Sequence, residues 1–135
     1  MNNTTTQTGI THVGTIIVPV SDHERSIPFY TEQLGFEKRM DVAYGEGERW
    51  VEIAPAGAES SIALSPTGPT AGPGSVTNIS FATTDVEATH AELRARGIDV
   101  DAEVSRFGDP VPPLFFLRDP DGNQLMVVER EPASG

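Results

Sequence analysis

Residues 113–129, PLFFLRDPDGNQLMVVE, decide the fold. Two apolar runs, 114–117 and 125–128, flank Asp119-Pro120-Asp121-Gly122-Asn123. In that centre Pro presets a turn φ, Asp accepts from nearby backbone N–H groups and Gly tolerates positive φ, so the stretch reads as a β-hairpin. A weaker copy precedes it: residues 49–53, then Pro55-Ala56-Gly57-Ala58, then 60–65, with Pro55 and Gly57 sixty-five positions before Pro120 and Gly122. The first question is therefore whether the chain repeats.

It does. Ser21-Asp22-His23-Glu24 and Thr84-Asp85-Val86-Glu87 both read as capping boxes, in which a hydroxyl accepts from the third helical N–H and Glu reaches back. Ile27, Tyr30 and Leu34 then supply an apolar stripe, as do Val86, His90 and Leu93, and Gly35 and Gly97 end the two helices. Asp85 lies sixty-three positions after Asp22 and Gly97 sixty-two after Gly35. Pro28 removes one helical hydrogen bond at a cost of about 3 kcal/mol, so the first helix either kinks there or starts irregularly. Strands are expected over 10–20, 36–42, 76–83 and 98–104, with a loop over 107–113.

This gives one α+β domain: a disordered polar tail at 1–9, a βαβββ module at 10–65, the linker PTGPTAGPG at 66–74, and a second βαβββ module at 75–130. The modules are expected to form a curved mixed sheet with a ligand cleft. With one helix for four strands, each module covers one sheet face, and the other must meet a partner module or enclose a ligand. Period two places Thr15, Ile17, Pro19, Trp50, Glu52, Ser61, Ala63, Asn78, Ser80, Ala82, Met126 and Val128 on that second face. A mid-strand carboxylate such as Glu52 is costly among apolar neighbours unless it meets solvent, a donor or a cation.

A chain of 135 residues can bury one sizeable core. No apolar run reaches membrane-spanning length and residues 1–9 lack the character of a signal peptide, so a cytoplasmic protein with no membrane partner is expected. Zero cysteines excludes disulfides and all thiolate chemistry. Nine basic against twenty acidic residues, net −11, repels phosphate backbones, so nucleic acid is not expected as a partner. No Ser-His-Asp spacing and no phosphate-cradling Gly loop is present, and no catalytic residue is assigned.

The strand-[Ser/Thr]-Asp-helix-Gly repeat, with SDHERSIPFYTEQLGF in the first half and FFLRDPDGNQLMVVE in the second, resembles the vicinal oxygen chelate superfamily. That family includes glyoxalase I, extradiol dioxygenases, fosfomycin-resistance enzymes and bleomycin-resistance proteins. The resemblance runs from Ile10 to Glu129 and implies the glyoxalase/bleomycin-resistance fold. It also implies a divalent metal, held by a His on the first strand and a carboxylate or His on the last strand of each module. Those positions fall here on Thr15, Asn78, Met126, and Ser61 or Ala63, none of them a usual ligand for Zn, Ni or Fe. His12 falls by parity on the helix-covered side, where a bulge would be needed to turn it inward, and His23 and His90 lie on helices.

Two functional expectations follow. The first is a metal-independent small-molecule binder of the antibiotic-sequestration type, taking a cationic or aromatic ligand in the cleft of a homodimer. Trp50, Glu52, Ser61, Asn78, Ser80, Phe116 and Met126 would contact it, with Phe115 a second candidate for stacking. The alternative is a lyase, isomerase or dioxygenase dependent on Zn, Ni, Mn or Fe with displaced ligands, His12 and Glu52 being the fallback pair. A purely structural module, with protein filling the open face, is the third.

Overall fold

The computed structural model describes residues 8–65 and 76–131. The linker at 66–74 and the tail at 1–7 lie outside the described residues. Strand β1 (Thr15–Pro19) runs parallel to β4 (Ser61–Ser65), which is antiparallel to β3 (Glu48–Ala54), itself antiparallel to the edge strand β2 (Glu37–Tyr44). The second sheet repeats this order with β5 (Val76–Thr83), β8 (Gln124–Glu129), β7 (Leu114–Arg118) and β6 (Asp99–Val100). Both sheets are mixed. Each carries one helix, α1 (His23–Pro28) or α2 (Val86–Ala95).

Local chemistry sets the element ends. Each helix is capped by the aspartate of its box: Asp22 accepts from the Glu24 N–H and Asp85 from the Ala88 N–H. The expected hydroxyl caps at Ser21 and Thr84 are both corrected, since the aspartate one residue on takes the role in each helix; Ser21 donates its N–H and hydroxyl to Asp121, a hundred residues on. At Pro28 the α-helix gives way to a π-helical turn, Phe29–Gln33, in which the Leu34 N–H donates to the Phe29 carbonyl. The change comes where Pro withholds its N–H, so the irregularity follows the proline instead of preceding it. Both hairpin turns use glycine at positive φ, Gly57 at 80° and Gly122 at 81°, a conformation that a Cβ would strain.

Two strands are shorter than expected. β1 starts at Thr15, not residue 10: its partner β4 begins at Ser61, opposite Thr15, and ahead of that pairing the chain is held by single bonds, the Gly14 carbonyl accepting from the Ser61 N–H and the Val13 carbonyl from the Ser60 hydroxyl. β6 stops at Val100, not residue 104: Asp101 accepts from the Phe116 N–H and from Arg118, then the chain bends away until Ser105 bridges Leu114.

The helix-covered faces share one core, in which Val18, Val20, Tyr30, Val51, Ile53 and Leu64 join Val86, Phe115, Leu117 and Leu125, all fully buried. Each such side chain contributes roughly 1.5–3 kcal/mol on burial. Phe36 packs edge-on against Phe81 across the seam between the modules, ring centroids 5.3 Å apart. Beside it the second hairpin turn docks on the first module. Tyr30 donates its hydroxyl to Asp119 at 2.8 Å, the Asn123 amide donates to the Pro19 carbonyl at 2.7 Å, and Asp121 pairs with Arg25 at 3.0 Å. Burial, reinforced by Asp119, pushes the Tyr30 hydroxyl well above its ordinary range, so it stays a donor.

Candidate functional site

On the face of the first sheet away from α1, β3 aims Trp50 and Glu52 the same way because they are two residues apart. The Trp50 indole N–H donates to Glu52 Oε2 at 2.7 Å. The Ser61 hydroxyl, from β4, donates to Glu52 Oε1 at 2.6 Å, and Thr15 Oγ1 lies 3.4 Å from Ser61 Oγ. A single carboxylate is thus held at both oxygens by neighbours on its own sheet. Cross-strand register surrounds it with apolar groups: Ile17 pairs with Ala63, Ala63 with Glu52, Glu52 with Met40, and Trp50 with Val42. Ile17, Met40 and Val42 are 41%, 43% and 49% exposed in the single chain, so this is an open apolar platform with one anion in it.

The open face of the second sheet is different. Ser80 pairs with Met126 and Met126 with Phe116, placing three of the expected contact residues in one cross-strand row. Asn78 is exposed at φ 62°, inside a register shift between Val76 and Ser80, a backbone that asparagine tolerates better than most residues. Phe115, the second candidate for stacking, is corrected. It points to the helix side, fully buried, with its ring 4.9 Å edge-on from His90. Val128 and Ala63, expected on the open faces, are also buried. Between the sheets a groove of about 200 Å³ is lined by Ile16, Ser61, Ile62, Ser80, Phe81 and Ala82 among others, and it brings Ser61 and Ser80 to one place.

The positions implied for metal ligands present hydroxyls at Thr15 and Ser61, a methyl at Ala63, a carboxamide at Asn78 and a thioether at Met126, a donor set that fits no divalent metal. The histidines are elsewhere. His12 precedes β1, exposed, within 2.8 Å of the Thr11 hydroxyl, so strand parity does not apply to it, while the hydrogen bonds to Glu52 come from Trp50 and Ser61. His23 and His90 are buried and donate through Nε2 to the Leu64 and Asp101 carbonyls, each at 2.7 Å. Among the described residues, no three His, Cys, Asp or Glu side chains come together to hold a metal ion.

Sequence reasoning missed Met40 and Val42 as members of the platform. Alternation does not carry through β2, because a register irregularity between Lys38 and Met40 resets which residues face which way. Their signal was the pairing itself, visible only once Met40 lies opposite Glu52.

Comparison with known proteins places this geometry. The model of the Glyoxalase/Bleomycin resistance protein/Dioxygenase superfamily matches residues 9–127. Among solved structures, TnmS3, an antibiotic binding protein from Streptomyces sp. CB03234, is 36% identical, with TM-score 0.80 over 93% of this chain and 100% of that one. A member of the same superfamily from Sphaerobacter thermophilus is 30% identical, with TM-score 0.80 over 90% of this chain and 98% of that one. YetH of Bacillus subtilis is 28% identical over 121 residues, 89% of this chain and 99% of that protein. Among the described residues no helix is long and apolar enough to cross a membrane.

Proposed function

This chain belongs to the Glyoxalase/Bleomycin resistance protein/Dioxygenase superfamily, and from that premise we propose that it is a small-molecule binding protein of the antibiotic-sequestration type, working without a metal. The observation that carries this reading is the donor set at Thr15, Ser61, Ala63, Asn78 and Met126, which offers no imidazole and no carboxylate where the superfamily's enzymes hold their metal. The 36% identity to TnmS3, an antibiotic binding protein, supports the same direction.

The cleft is completed by a second copy of the chain. Ile17, Met40 and Val42 on the first sheet and Ser80 and Ala82 on the second are exposed in the single chain, so neither open face is covered by the chain's own other module. A homodimer that apposes the first sheet of one protomer to the second sheet of its partner gives a ligand Trp50, Glu52 and Ser61 on one wall and Asn78, Ser80, Phe116 and Met126 on the other. Calorimetry of chelator-treated protein against a panel of aromatic antibiotics tests the reading, with saturable binding at one site per chain, two per dimer, expected. Stoichiometric Zn, Ni, Mn or Fe in protein purified without chelator, or a monomer by sedimentation in the presence of bound ligand, would overturn it.

A further inference from the structure

Resting on the binding reading, we infer that Glu52 selects the charge of the ligand and that the first-sheet platform takes a planar aromatic cation lying on the Trp50 ring. Trp50 has one polar atom, and its N–H is already spent on Glu52. What remains for a ligand is the indole face, so Trp50 serves as a stacking surface and not as a hydrogen-bond donor. A flat group laid on it meets Val42 beside it and Met40 and Ile17 in the neighbouring row.

Glu52 supplies the polar half of the recognition. Each of its oxygens accepts one hydrogen bond from within the sheet, which fixes the carboxylate plane and leaves further lone pairs for a ligand. Holding the acceptor in place beforehand lowers the ordering cost of binding. Other carboxylates on or beside the sheets are ion-paired: Asp41 with Arg49 and Lys38, Asp99 and Asp101 with Arg118. Glu52 forms no ion pair among the described residues, and its cross-strand neighbours are Ala63 and Met40.

Covering this face removes water from an unpaired carboxylate, which is costly unless the covering group brings positive charge or donors. A planar cation answers both needs at once, offering donors to Glu52 and a positive ring to the face of Trp50. A neutral ring of the same shape gains the stacking but leaves the carboxylate desolvated. A planar anion is repelled.

Trp50 is the chain's single tryptophan, so its fluorescence reports on this face without a label. The test uses the full chain and three flat probes: proflavine as the cation, acridone as the neutral ring and anthraquinone-2-sulfonate as the anion. Affinities come from calorimetry and location from quenching of Trp50. Proflavine is expected to bind about tenfold more tightly than acridone and the sulfonate least, the preference shrinking as salt is raised. Glu52→Gln should lose about tenfold for proflavine and under about twofold for acridone, while Glu52→Asp, which keeps the charge, retains part of the preference. Equal binding of proflavine and acridone by the natural chain, or an equal loss of all probes in Glu52→Gln, would overturn charge selection alone. If none of the three quenched Trp50 saturably, the ligand-binding reading would fall together with this inference.

Discussion

The two modules share a scaffold and differ in what they hang on it. Aspartate caps at 22 and 85, glycine turns at 57 and 122, and the strand order are the same in both. Yet the first edge strand, β2, has eight residues and the second, β6, has two. The first open face carries a fixed carboxylate in an apolar platform; the second carries Ser80, Met126 and Phe116 in one row. Features that backbone geometry demands persist across the repeat, because a cap or a positive-φ turn admits few residue types. Side chains on the open faces have diverged, because no cap or turn requires them. Differences between equivalent positions therefore mark what each module adds to the shared scaffold, at the seam as well as on the open faces.

The sharpest such difference is Asp119 against Ala54, which lies sixty-five positions earlier. Asp119 accepts from the Tyr30 hydroxyl, the Asn123 amide and the N–H groups of Asp121 and Asn123, and is nearly fully buried. Asp119→Ala removes the shared acceptor of these four hydrogen bonds and should lower stability by about 3–5 kcal/mol, the largest effect expected in the chain. Pro55→Ala, in the exposed first turn, should cost no more than about 1 kcal/mol. Urea midpoints check both, and near-equal losses would mean the second turn does not staple the modules.

Asp119 also shows where the chain is legible from its residues. Pro120, Asp121 and Gly122 announce a turn through local chemistry, but nothing local announces that the turn docks on Tyr30, Pro19 and Ser21. The cap falls on the aspartate in both helices, Asp22 and Asp85, which leaves Ser21 free to meet Asp121. Strand lengths escaped for a related reason, since a partner a long way off in sequence decides where β1 starts and β6 stops. At the site, period two was enough to set Trp50 and Glu52 side by side, whereas their bond to each other, the Ser61 bond and the Met40 contact required the assembled sheet.

The paired glycines offer an internal control of intermediate size. At φ 80° and 81°, Gly57→Ala and Gly122→Ala carry the same backbone strain, about 1–2 kcal/mol each by thermal or urea unfolding. Any excess at Gly122 measures how far the strain reaches Asp121 and Asn123, whose bonds cross the seam. A smaller loss at Gly122 than at Gly57 would contradict that coupling.

The ion pair between β2 and β3 of the first module answers to pH. Hydrogen bonds from Arg49 and then Lys38 hold the Asp41 carboxyl well below its ordinary value of 3.8. Because the folded value is depressed, the contribution is complete above pH 3.8 and drains away as acid protonates the group below it. The pair is partly exposed, so Asp41→Asn should cost about 1 kcal/mol at pH 7. The gap between natural chain and variant should close on acidification below pH 3.8; a gap independent of pH would remove the electrostatic account.

The smallest effect has the opposite sign. Ser26 in α1 is fully buried and its hydroxyl has no hydrogen-bond partner among the described residues. Sixty-three positions later Thr89 in α2 holds its hydroxyl 2.6 Å from that of Thr83. Removing an unpaired buried hydroxyl recovers its desolvation cost and places the best helix former in the helix, so Ser26→Ala should stabilise by about 0.5–1 kcal/mol. Thr89→Ala breaks a bond and should destabilise by a similar amount. Opposite shifts in the urea midpoint at equivalent positions would show that even on the helices the repeat conserves the backbone and leaves the side-chain partners to each module, while two losses would place an unrecognised acceptor beside Ser26.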